Sequence, residues 1–307
     1  MCLNSFARYF SDIDYFYQAI EKFQYGLSID RTSHRLWHAI AQAYVAVGEA
    51  EEDIDAFEKA SRFFSKALDL HASTFYIFDQ AYALSRLGEM KDEQRLLEIA
   101  VAQFERALSV QKNAVYLHPE WLFHYAIALD ILGDFYEEEG YYLKAIELLS
   151  HVLMVDPDFP EIHHQLALAH SHLGELISDV DHFYRAIHHF RLASKHDEEN
   201  DQLVLDFGVT LISLAHHLQD RQEIEALYLD ADHKLTLAAK LGNQQSFYHL
   251  ACLNSILGQY DRSMHFIEKA YAAKTLPPVD ELLDDEWLDG LRVTSNFQEF
   301  LSHLEKR

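Results

Sequence analysis

The sequence predicts an all-α protein built from stacked helix hairpins, an α-solenoid. Three observations carry that expectation. Helix breakers are scarce, with 10 Gly and 5 Pro in 307 residues, while Phe (20), Tyr (17) and other apolar residues bring the apolar share to 49%. Few breakers and many large apolar side chains favour long helices over sheets. A small residue followed by a bulky one four positions on and a second small one seven positions on recurs along the chain. Upstream of most copies lies another pattern, a small residue with a Gly seven positions later, and the two run in phase.

The first pattern reads Ala19/Phe23/Gly26, Ala60/Phe64/Ala67, Ala100/Phe104/Ala107, Ala145/Leu149/Val152, Ala186/Phe190/Ala193, Ala231/Leu235/Ala238 and Ser263/Ile267/Ala270. Successive copies lie 41, 40, 45, 41, 45 and 32 residues apart. The second reads Ala41/Gly48, Ala81/Gly88, Ala126/Gly133, Ala167/Gly174 and Ala251/Gly258, drifting to Gly208/Ala215 in one unit. Each pair of patterns marks two helices with one apolar face apiece. A lone hairpin cannot bury that face, so the units must stack.

Taken in order, residues 5–30 read as a lone second helix, "FYQAIEKFQYGLSID". Six hairpins follow up to residue 275. In four of them twelve residues separate the Gly from the next Ala, against five in the last, Gly258 to Ser263. The excess of seven is close to two helical turns at ~3.6 residues each. It predicts that each helix of the pair gains about one turn, with Gly48 inside the first helix as a point of close packing. Asp53, Asp92, Asp179 and Gly140 are then expected to start the second helices as N-caps. Pro277 and Pro278 end the array. Residues 276–307 are expected to cap it, with Trp287, Leu291, Phe297 and Phe300 docked on the last hairpin.

These patterns resemble the tetratricopeptide repeat. "FYHLACLNSILGQYDRSMHFIEKAYA" (Phe247 to Ala272) matches it almost at standard length. "WLFHYAIALDILGD" followed by "YYLKAIELLSHVLMVDP" carries it too, and the likeness spans about residues 5–272. The departure is the length, since the usual period is ~34 residues. The resemblance implies a right-handed superhelix whose inner face is made by the first helices. It also implies that ligand segments lie on that face, at positions three before and one after the leading small residue. Those positions are His38 and Gln42, Phe78 and Tyr82, Phe123 and Ile127, and His164 and Leu168, then Leu205 and Val209, and Tyr248 and Cys252. One turn further along come Arg86, Asp130 and His172. Members that bind C-terminal chaperone peptides use a Lys/Asn carboxylate clamp at such positions. Phe78/Tyr82 and Phe123/Ile127 stand there instead, so no clamp is expected, and the face reads as aromatic and apolar.

The chain carries 50 Asp and Glu against 25 Lys and Arg, a formal net charge of −25. That excludes the basic footprint of nucleic-acid binding and disfavours anionic membranes. It points to basic or apolar protein segments as partners. Two cysteines without a pairing pattern and no signal-like or membrane-spanning run lead to the expectation of a cytoplasmic protein. No phosphate loop, nucleophile elbow or zinc motif is present, so no catalytic residue, metal ligand or cofactor is expected. The 20 histidines raise one alternative. His34 and His38 near Asp30, or the group His163, His164, His170, His172, His182, His188 and His189, offer imidazoles for a metal-dependent enzyme or a pH sensor. The leading expectation is a non-catalytic scaffold, adaptor or chaperone that binds a partner in the groove. Self-assembly through the N-terminal half-unit is the other alternative.

Overall fold

The structure is a computed structural model, and it describes residues 13–110 and 118–304. Every regular element among the described residues is helical, and successive helices pair as antiparallel hairpins. The chain divides into two compact units, Met1–Ile162 and His163–Arg307.

Among the described residues of the first unit, one helix, α1 (Asp14–Ile29), precedes three hairpins. These are α2 (His34–Glu51) with α3 (Ile54–Leu70), α4 (Thr74–Lys91) with α5 (Gln94–Val110), and α6 (Pro119–Tyr136) with α7 (Glu139–Val155). α3 packs on α4 and α5 on α6, and α4 also touches both α2 and α6. The repeat motif supplies the core. Ala60, Phe64, Ala67, Ala100, Phe104, Ala107 and Ala145 are all completely buried.

The second unit opens with α8 (Ile162–Ile177), whose first residue belongs to the preceding unit. Then come α9 (Val180–His196), α10 (Asp201–His217), α11 (Arg221–Leu241), α12 (Ser246–Ile256) and α13 (Tyr260–Ala273). Phe183, Phe190, Phe207 and Leu235 fill its core. A C-terminal segment follows, made of α14 (Val279–Asp284), a tight turn at Glu286–Leu288, α15 (Asp289–Arg292) and α16 (Ser295–Leu304). It packs on α12 and α13 through Leu282, Leu288, Leu291 and Phe297, with Trp287 and Phe300 at the edge.

The seven extra residues enter the helices and leave the tip short. α2 runs three residues past Gly48, whereas α12 stops two residues before Gly258. α3 starts six residues ahead of Ala60, and α13 only three ahead of Ser263. The gain is therefore unequal, larger in the first helix than in the second. The tip closes through a left-handed residue, Glu52 (φ 51°), Asp92 (φ 51°), Glu137 (φ 49°) or Ser178 (φ 55°). None of these four is Gly, although this conformation favours it.

Two of the four expected N-caps take that role. Asp53 and Asp179 accept a hydrogen bond from the backbone N–H two residues on, at 2.9 Å in both cases. Asp92 instead ends α4 as its left-handed cap. Gly140 lies inside α7, behind the cap residue Glu138. Periodicity sets where an apolar face begins but not the last residue of the preceding turn, so both positions were misplaced by one or two residues. Replacing Asp53 with Ala should cost about 1 kcal/mol by orphaning the first amides of α3. A urea melt checks this, and an unchanged midpoint would show that the cap adds nothing.

Candidate functional site

The first-helix positions expected to face a ligand fall into two groups. In the first unit Phe78 is 4% exposed and stacks on Trp121, with ring centroids 4.7 Å apart. Phe123, also 4% exposed, lies 4.9 Å from Phe159. Phe78 is taken up in packing between neighbouring hairpins, and Phe123 in packing against the segment that follows α7. The long first helices bury more of their circumference than the sequence pattern suggests.

What remains on that face is polar and joined by hydrogen bonds. Asp79 Oδ2 lies 2.6 Å from His38 Nε2 and accepts from Gln42 Nε2 at 3.2 Å. Tyr82 donates its hydroxyl to Glu49 at 2.8 Å, and Arg86 Nε donates to the same carboxylate at 3.1 Å. Arg86 also pairs with Glu89. Burial pulls the Arg86 guanidinium down, but Glu49 and Glu89 more than offset it and leave it raised. Burial, reinforced by Arg86, lowers the His124 imidazole to about 4, and its ring lies 4.3 Å from Tyr82. Ile127 is half-buried and Asp130 buried.

In the second unit the corresponding residues of α8 and α10 wall a cavity of about 360 Å³. Leu168, Ser171, His172 and Glu175 come from α8, and Leu205, Asp206, Val209, Thr210 and Ser213 from α10. Gln202, Gln245, His249 and Trp287 complete the wall. The volume lies at the small end of the roughly 300–1,000 Å³ usual for ligand pockets. Leu168 and His172 are thus brought together with Asp206 and Trp287. His164 stands behind them, with Nε2 2.8 Å from Asp206 Oδ2. Ser171 Oγ and Thr210 Oγ1 bridge the two helices at 2.9 Å. Burial lowers the His249 imidazole pKa, which Asp206 and Asp285 only partly oppose, and its buried Nδ1 has no partner among the described residues.

The last pair of expected positions is covered by the chain itself. Tyr248 donates to Asp285, and Cys252 Sγ lies 3.5 Å from the same carboxylate oxygen. Arg292 donates to the Asp285 carbonyl at 2.6 Å, and the Asp285 side chain accepts from Trp287 N–H. The C-terminal segment therefore places Trp287 as one wall of the cavity.

Asp79 and Asp206 were not singled out in the sequence, although a signal was present. His38 and Asp79 are 41 residues apart, and His164 and Asp206 are 42 apart, one repeat in each case. Each Asp stands two positions before the small residue of the next first helix. A His paired with an acid one repeat away is what neighbouring first helices bring into contact.

The histidines of α8 and α9 touch one another, but among the described residues no set of three or more His, Cys, Asp and Glu is placed to hold a metal ion. His34 stacks on His71 at 4.4 Å while His38 turns to Asp79, and Asp30 accepts from Thr32. In α8 and α9 the contacts are His163 Nδ1 to His189 Nδ1 and His170 Nδ1 to His182 Nδ1, both 3.0 Å. No described helix is long and apolar enough to cross a membrane.

The tetratricopeptide repeat family model matches residues 126–159, in α6 and α7, and residues 244–274, which cover α12 and α13. No curated protein matches the sequence. Among solved structures, YrrB, a TPR protein with an unusual peptide-binding site, is 17% identical at TM-score 0.44, covering 72% of this chain and 97% of its own. The apo form of RapI is 12% identical at TM-score 0.47, covering 96% of this chain and 86% of its own.

Proposed function

The chain is an all-helical repeat protein that resembles tetratricopeptide-repeat proteins, and from that premise we propose that it is a non-catalytic scaffold that binds a segment of a partner protein. The observation that carries this reading is the cavity in the second unit. Consecutive first helices hold Leu168, Leu205 and Val209 beside hydroxyls, carboxylates and Trp287 in one concave space. Apolar contact with a few convergent polar groups is the composition of a binding pocket. Most of the wall is carried on two regular helices, α8 and α10, which limits the ordering cost of binding.

In the first unit the proposed contacts are the polar remainder of the same face, His38, Gln42, Tyr82 and Arg86, together with the half-buried Ile127. Phe78, Phe123 and Asp130 support it from behind. An adaptor or chaperone role is the finer form of the proposal. A reducing compartment such as the cytoplasm is proposed with it, on the buried free thiol of Cys252.

Leu168 and Val209 are both only partly buried, so charging them need not disturb the core. The expected result is that Leu168→Glu/Val209→Glu loses a partner captured from cell extract by the wild type, with an unchanged thermal melt. Equal capture by both proteins would overturn the reading.

A further inference from the structure

The cavity has a charge character that its shape alone does not require. Two acids line it, Asp206 and Glu175, and no Lys or Arg is among its lining residues. An acid somewhere on a chain of net charge −25 is expected. Asp206 is not an ordinary surface acid, because its side chain is only 16% exposed and it is held from two sides. His164 Nε2 lies 2.8 Å from Oδ2, and since the carboxylate only accepts, the imidazole proton sits on Nε2. Gln202 Nε2 donates to Oδ1 at 2.8 Å. Asn243 Nδ2 donates to Gln202 Oε1 at 3.1 Å, which orients that amide in turn.

These bonds take one acceptor site on each carboxylate oxygen. Each oxygen keeps another for a donor from the cavity. The bonds also remove the cost of orienting the group on binding. The lining holds no Lys or Arg beside this half-buried carboxylate, so a cation arriving from outside gains Coulomb energy at reduced dielectric. Leu205 and Val209 flank Asp206 on the same helix and Trp287 lines the same cavity, surfaces that suit an aliphatic stem and a cation over an indole. Glu175, 57% exposed, carries a second negative charge.

We propose that this cavity receives an Arg or Lys side chain of the partner segment, with the head on Asp206 and the stem and an adjacent apolar residue against Leu168, Leu205, Val209 and Trp287. This rests on the binding-face reading above and adds the ligand's chemical class to it. The occupant is a basic-apolar peptide segment. An acidic segment would meet Asp206 and Glu175 with like charge.

The test is to pass a displayed random heptapeptide library over the immobilised full chain, then titrate one retained peptide and its Arg→citrulline version by fluorescence anisotropy. Citrulline keeps the shape of arginine and removes its charge. The expected result is enrichment of Arg or Lys beside Leu, Ile, Val or an aromatic. Binding should fall at least about tenfold with citrulline or with Asp206→Asn, the size of a charge-assisted hydrogen bond. Should Asp206→Asn lose its fold, Glu175→Gln at the exposed rim and the citrulline comparison on the wild type decide instead. Peptides that are lost by Leu168→Glu/Val209→Glu yet show no basic enrichment, or that tolerate citrulline, would overturn this inference and leave the binding face standing. If nothing is retained, or the double variant retains the same peptides, both readings fail.

Discussion

Replacing Phe57 with alanine is expected to destabilise the protein by about 3–5 kcal/mol. Phe57 is completely buried in the first hairpin, on the first turn of α3, three residues ahead of Ala60. Its ring fits against Gly48, where an added Cβ would come within 2.7 Å of the ring edge. The two positions therefore form one packing unit, and each determines what the other tolerates. Gly48→Ala alone should cost about 1–3 kcal/mol through overpacking, despite the better helix propensity of alanine. In the Phe57→Ala background the same change should become neutral or favourable, since the cavity left by the ring accepts the methyl. Urea melts of the two single variants and the double variant form a cycle whose coupling term should exceed ~1 kcal/mol. Additive behaviour would mean that the long hairpin does not depend on this contact.

The second large effect is loss of stability in mild acid. Burial, with the neighbouring His182 and His189, lowers the His170 imidazole to about 3. Burial, with His163 and His188, lowers His189 to about 4. His163 is lowered by burial as well, with His196 and His188 adding to it. In the unfolded chain these groups titrate near 6.5. Above that pH both states are neutral and nothing is lost. As pH falls through 6.5 the unfolded chain takes up protons that the folded one refuses, so folding stability drops. The loss continues until pH reaches the folded values of about 3 and 4.

His170 and His189 together should cost roughly 2.7 kcal/mol per pH unit within that window, at ~1.4 per group. Each Nδ1 to Nδ1 contact needs one donor and one acceptor, so a pair with both rings protonated also loses its hydrogen bond. Denaturant melts at pH 7.5, 6.5 and 5.5 should show a steep fall only below 6.5. The Asp and Glu carboxylates ordinarily titrate lower, near 4, and contribute little there. His170→Leu should flatten the slope by about half of that two-histidine figure. A flat profile down to pH 5.5 in the wild type would refute the burial of these rings as neutral species.

Much of the architecture was legible in the residue pattern because it depends on short-range periodicity. Ala at the crossing points, Phe or Leu four positions later and Gly in the first helix each carry their reason locally. The excess of seven residues could be assigned to helix because two turns keep both apolar faces in register. How the seven divide between the two helices depends on where the chain can reverse. That was decided at Glu52, Asp92, Glu137 and Ser178, of which only Asp92 is of a type that favours the left-handed conformation.

The candidate site was less legible, for a different reason. Phe78 and Phe123 stand at positions that face a groove in shorter repeats, yet Trp121, Phe104 and Phe159 occupy their faces here. Large apolar side chains go where partners are available, and only the neighbouring hairpins determine that. Asp206 was invisible as a site residue because its partner His164 lies 42 residues away, and Asn243, which orients its other partner Gln202, lies 41 residues beyond Gln202. The sequence alone determined an all-helical repeat chain, its long hairpins and its acidic balance, since each follows from composition and spacing within one helical pair. Tertiary structure alone decided which first-helix side chains remain accessible and that Trp287 of the C-terminal segment walls the cavity. Both depend on contacts between elements distant in sequence, which helical periodicity does not encode.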